Sequence, residues 1–295
     1  MPEATQRRLP PELYQYILKH VGTDNDLCAL LTVSRTIHQE ASRLLYRHVR
    51  IDLASGSCGE IERLNLIRRK DIAPFVHSLV LLWICQAAPN NEEQGDEEGA
   101  IRSLLEALAN LKDLTLQFLS PPLSDSSQKL PPFSSFVPSH PPFQLRRFRL
   151  LRHSGQGGLA NFLRTQPKIF DFSWYTGPVE CNFSFGDLSA LRAVTATTVS
   201  VLAHLLPGRN VRQLQYRGSA RDMVAMLEWE RPGVIYPTVE ALVLQSISDL
   251  DQVARMFPSV RYLEGSLGND FVRDPSIHTY PCGLNVPNYY PGDAD

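Results

Sequence analysis

With 295 residues, 43% of them hydrophobic and 20% charged, the chain can bury a sizeable core and is too apolar for general disorder. A single core stops growing at roughly 250–300 residues, so one elongated domain, or one small and one larger unit, fits this length. The formal net charge of −2 gives no electrostatic ground for a nucleic-acid partner or an anionic membrane.

The opening predicts three short helices within residues 1–50. Pro10 and Pro11 suit a helix start, where a missing N–H costs nothing, and Leu13, Ile17, Leu18 and Val21 then form one apolar stripe. Gly22 supplies the stop. Thr23 or Asp24 caps a second helix carrying Leu27, Leu30, Leu31 and Val33. Ser34 or Thr36 caps a third, with Thr36 and Gln39 at capping-box spacing and Ile37, Ala41, Leu44 and Leu45 on one side. So small a unit buries little of its surface and needs something to dock against.

This segment resembles an F-box, the helical motif that binds the Skp-family adaptor of cullin-based ubiquitin ligases. The residues carrying the resemblance are Leu9-Pro10-Pro11-Glu12-Leu13, Ile17-Leu18, Asp26-Leu27, Leu30, Val33-Ser34-Arg35, Ala41 and Leu44-Leu45-Tyr46. In overall style, with LLYRHV closing the box, the chain is similar to the F-box proteins of mushroom-forming fungi. It departs from many F-boxes at Ile37, in the region where a tryptophan commonly follows the Val-Cys/Ser-Arg segment. The resemblance implies an adaptor-docking surface made of Leu9, Pro10, Glu12, Leu13, Ile17, Leu27, Leu30, Val33 and Ser34.

Residues 51–267 alternate between two patterns. Short runs with apolar residues one position apart read as strands: 77–81, 113–116, 147–150, 169–172, 193–196, 213–216, 241–244 and 261–263. Helical patterns lie between them at 100–111, 159–163, 199–206, 220–229 and 250–257. The expected fold class is therefore α/β: an irregular leucine-rich-repeat-like solenoid after the helical module. The turn asparagine or cysteine of a strict repeat is absent, and a compact α/β domain with a mainly parallel sheet is the alternative. The attachment of such repeats to F-boxes in that family favours the solenoid.

Two loops are expected to be mobile, 87–99 and 120–143. The first holds Glu92, Glu93, Asp96, Glu97 and Glu98 without the alternation and central glycine of a calcium loop, and reads as solvated. The second is dense in serine and proline. Residues 268–295 form a proline-rich cap or tail.

Chemical signatures give little. Five cysteines at wide spacing, with no CxxC pair, suggest buried thiols in a reducing compartment. No apolar run follows Arg7 and Arg8, and the most apolar stretch, 79–85, is far short of a bilayer span, so a cytoplasmic or nuclear protein is expected. Neither GxxxxGK[ST] nor GxSxG occurs, the glycine-rich run at 154–158 reads as a tight turn, and the histidines are scattered without HExxH spacing. The sequence thus predicts a non-enzyme without cofactor or metal. Its expected role is a substrate-recognition subunit of an SCF-type ubiquitin ligase, binding a Skp-family adaptor, a cullin through it, and a target protein through the repeats. The alternative is a repeat scaffold with no ligase role.

Overall fold

The computed structural model describes residues 9–21, 23–53, 58–84, 91–119, 132–151, 158–175, 188–247 and 249–267. Three helices open it: α1 (Pro11–Leu18), α2 (Asp24–Leu30) and α3 (Arg35–Leu45). Pro11 stands in the first turn of α1, and Thr23 Oγ1 caps α2 by accepting the N–H of Asp26 at 3.1 Å. Ser34, not Thr36, caps α3: its Oγ accepts the N–H of Ile37, so the Thr36–Gln39 capping box does not form. Leu18, Leu27 and Ala41 meet in a small core of their own, with Val21, Leu30, Leu31, Leu44 and Leu45 packed around it. Gly22 lies outside the described residues.

The rest is an α/β layer with one sheet. Its strands are β1 (His48–Asp52), β2 (Ser78–Ile84), β3 (Asp113–Leu119), β4 (Arg147–Leu151) and β5 (Asp171–Tyr175), then β6 (Ala193–Ala196), β7 (Gln213–Ser219), β8 (Ala241–Ile247) and β9 (Tyr262–Leu267). All pairings are parallel and the spatial order is the chain order from β1 to β9. The order never reverses, so the crevice that a doubly wound sheet opens at its switch point has no place here. Among the described residues seven further α-helices follow: α4 (Cys58–Ile67), α5 (Asn91–Ala107), α6 (Phe133–Phe136), α7 (Leu159–Arg164), α8 (Val199–Leu205), α9 (Ala220–Glu230) and α10 (Leu250–Met256).

Alternation explains the layer. Every second strand residue points into one continuous core shared with the helices, as Leu114, Leu116 and Phe118 do in β3 and Leu242 and Leu244 do in β8. Aromatic rings stitch its middle. Phe133 stands 5.3 Å from Phe162 and 6.2 Å from Phe148, which in turn lies 5.9 Å from Phe172. One residue before the lead-in position of β2 to β8 stands a buried aliphatic, among them Val76, Leu111, Leu145, Leu191 and Val211. The opposite sheet face carries Arg147, Arg149, Thr195, Gln215 and Val243, half-buried or exposed.

Several expectations need correction. Residues 91–98, expected in a mobile loop, are the opening turns of α5, where Glu97 accepts the Trp83 indole N–H at 2.9 Å and ties the helix to β2. The second expected loop is only partly a loop. Phe133, Phe136, Val137 and Phe143 within 120–143 are buried in the main core, because phenylalanines hidden in a serine- and proline-rich composition supply apolar area. β1 and α4 went unforeseen, and the sheet begins at His48, inside the segment 1–50. Residues 120–131 and the tail 268–295 lie outside the described residues.

Candidate functional site

The helical module turns a second apolar surface outward. Leu13 is 43% exposed and Ile17 53%, whereas Leu18 faces the module core. The single stripe read from the sequence is therefore split between two faces of α1. Within α1, Leu13, Tyr16 and Ile17 stand at spacings of three and four on one outward side, and Leu9 and Pro10, just before the helix, are also exposed. Tyr16 was not foreseen, although its i+3 relation to Leu13 was the available signal. The Lys19 ammonium lies 5.4 Å from the Tyr16 ring. The Glu12 side chain is not among those described.

The remaining predicted docking residues divide. Leu27 is buried and Leu30 half-buried, and both support the module from inside. Val33 is 60% exposed in the turn between α2 and α3, and Ser34 beside it is engaged as the α3 cap. The Gln15 amide donates to Glu40 at 3.3 Å and ties α1 to α3. Leu13 and Ile17 thus share a side, Leu9 is exposed just before the helix, Val33 is exposed on its own turn, and Leu27 and Leu30 do not join them at the surface. Exposed apolar side chains grouped in this way mark surfaces that a partner covers.

A second feature lies on the open face of the sheet. A trough of about 570 Å³ runs over β4 to β9, lined by Arg149, Asp171, Ser173, Tyr175, Thr195 and Gln215 among others. The Arg149 guanidinium stands 3.9 Å from the Asp171 carboxylate, and Arg147 pairs with Asp113 at 3.3 Å. Burial pushes the Asp171 carboxyl above its ordinary value, against the opposing pull of Arg149 and Arg147. Arg217 lies 4.6 Å from the ring of Tyr175 at the rim. The Thr195 hydroxyl donates to the Gln215 amide oxygen at 3.5 Å, and none of the described residues that line the trough is a histidine.

Other chemical groups are engaged locally. His38 Nδ1 lies 2.8 Å from the Leu31 carbonyl and His204 Nδ1 lies 2.7 Å from that of Ser200. His153 and residues 154–157 are outside the described residues, while Gly158 holds φ +92° at the start of α7, as a tight turn requires. Cys28 is exposed, contrary to the expectation of buried thiols, because it faces away from the core that Leu27 enters. Among the described residues no group of three or more His, Cys, Asp or Glu is placed to hold a metal ion, and no helix is long and apolar enough to cross a membrane. No protein-family model matches the chain, and no curated protein matches it.

Proposed function

We propose that this chain is a substrate-recognition subunit of an SCF-type ubiquitin ligase, acting in the cytoplasm or nucleus. The N-terminal helices dock a Skp-family adaptor, and through it a cullin. The sheet region, read as an irregular leucine-rich-repeat-like solenoid, presents a target protein. The chain itself catalyses nothing in this reading: it raises the local concentration of target near ubiquitin carried by other subunits.

The observation that carries the reading is the outward apolar side of α1. Leu13 and Ile17 come from the segment that resembles an F-box, and they are exposed rather than spent on the module's own core. A module that merely capped the sheet would bury them. Strictly sequential parallel strands, each followed or preceded by a short helix, support the repeat reading of the remainder.

The test is capture of purified Skp-family adaptor by the full chain, beside a Leu13→Asp, Ile17→Asp double variant. Both side chains are exposed, so the variant keeps its helicity and melting temperature while adaptor capture is lost. Capture that survives the double substitution, or no capture by the unaltered chain, would overturn the proposal.

A further inference from the structure

One edge of the sheet carries a row of cations. The residue directly before each strand repeats a single main-chain pattern. Its N–H donates to the carbonyl of the equivalent residue in the preceding turn: Phe170 to Arg146 at 2.9 Å, Arg192 to Phe170 at 2.8 Å, Arg212 to Arg192 at 2.7 Å and Arg261 to Glu240 at 2.8 Å. Main-chain bonding thus holds these residues in single file at the strand spacing, about 4.8 Å. Of the nine, six are cationic (Arg47, Lys112, Arg146, Arg192, Arg212 and Arg261), and all six are exposed.

Little within the described residues offsets this charge. The row's one acid is Glu240, 4.0 Å from Arg212. Asp113 and Asp171, one residue further along on the open face, face two additional cations, Arg147 and Arg149. The whole chain is slightly acidic, so the row reflects segregation of charge rather than a basic composition. Glu97 of α5 accepts the Trp83 indole N–H at 2.9 Å near the C-terminal end of β2, at the opposite edge. Neighbouring like charges in such a row repel one another even in water, and long side chains reduce this only by splaying apart. An anionic partner laid along the row removes that repulsion.

The middle of the row narrows the partner's chemistry. Phe170, 37% exposed, sits between Arg146 and Arg192. Grooves for single-stranded nucleic acid carry successive aromatic platforms for the bases; this row has Phe170 alone in its middle, and His77 near its start holds the Asn110 carbonyl at 3.2 Å. One apolar contact flanked by guanidiniums matches a protein segment in which carboxylates flank an apolar side chain, since arginine binds carboxylates in paired hydrogen bonds. We propose that this edge is where the target docks, through an acidic segment with an apolar residue among its carboxylates; the inference rests on the target-binding half of the proposed function.

The test is fluorescence anisotropy of the full chain with a labelled peptide of glutamates around a central leucine, its glutamine counterpart, and oligo-deoxythymidine. The glutamate peptide is expected to bind, the glutamine peptide not, and binding to weaken steeply as salt rises to about 0.3 M. An Arg146→Glu, Arg192→Glu variant, with unchanged circular dichroism, should weaken binding by more than about tenfold, and Glu240→Gln should strengthen it. If charge reversal perturbs folding, the milder Arg146→Gln, Arg192→Gln pair gives the same ordering. Failure of the glutamate peptide to bind at low salt would overturn the proposal. So would indifference to the substitutions, or tighter binding of the oligonucleotide. Adaptor capture is read separately: its loss with peptide binding intact sinks the ligase reading alone.

Discussion

Gln166 gives the sharpest stability prediction, because one fully buried amide satisfies groups from two consecutive turns. It follows α7, and its Oε1 accepts the N–H of Leu145 at 2.7 Å while its Nε2 donates to the Phe143 carbonyl at 3.3 Å. Nε2 also reaches the Thr165 hydroxyl at 3.2 Å. Phe143 and Leu145 are buried, so neither main-chain group has water as a substitute. Gln166→Leu keeps the approximate volume and removes both bonds. Each stranded group costs about 1–3 kcal/mol, and the added apolar surface returns part of that, so a net loss of about 2–4 kcal/mol is expected. Urea unfolding followed by tryptophan emission is the assay, since Trp174 in the adjoining β5 is buried in the same core. Gln144→Ala is the control: its amide donates to the Thr165 carbonyl at 3.0 Å at an exposed site, and its loss should cost less than about 1 kcal/mol. Equal effects of the two substitutions would refute the reasoning.

Two further outcomes follow from local geometry. Gly158→Ala should destabilise by about 1–3 kcal/mol, because φ is +92° and a new Cβ would stand 2.6 Å from Ser134 Cβ; a thermal melt unchanged from wild type would contradict it. Asp171→Asn should raise the melting temperature at neutral pH. Burial raises the folded carboxyl's pKa, so this group favours the fold below the unfolded carboxylate range and loses that contribution as pH rises through the folded value. A variant that melts lower than wild type at pH 7 and higher at pH 3 would reverse that sign.

How much of this was legible in the sequence depended on which partner a side chain faces. Eight of the nine strands announced themselves, because burial of one face imposes a period of two, as in Asp113 to Leu116 and Ala241 to Leu244. β1 did not, since His48 to Asp52 reads as the close of the helical segment, and only Val49 and Ile51 enter the core. The α1 stripe was visible, but hydrophobicity alone does not say whether a residue faces its own core or another protein. Leu13 and Leu18 look alike in sequence and part company only once α3 occupies one side. The basic row was hidden differently. Successive cations of the row lie tens of residues apart in the chain, and single file emerges only when the parallel register aligns the turns.

The same register bears on how the two proposed surfaces would cooperate. α3 ends at Leu45, and two residues later Arg47 is the first member of the row, its carbonyl accepting the N–H groups of His77 and Ser78 at 3.0 Å each. The turn Ala73–Phe75 packs against α3 beside that junction. The helical module is thus continuous with the start of the cationic edge. Nine positions at about 4.8 Å carry that edge roughly 40 Å away from the module. On the proposed reading, a rigid junction is what a substrate receptor needs, because proximity accelerates transfer only when the bound target is held at a defined distance and orientation. A swivelling module would spread the target over many positions and lose most of that gain. Main-chain bonding at Arg47, rather than a long linker, is therefore the feature that gives the two surfaces a shared frame.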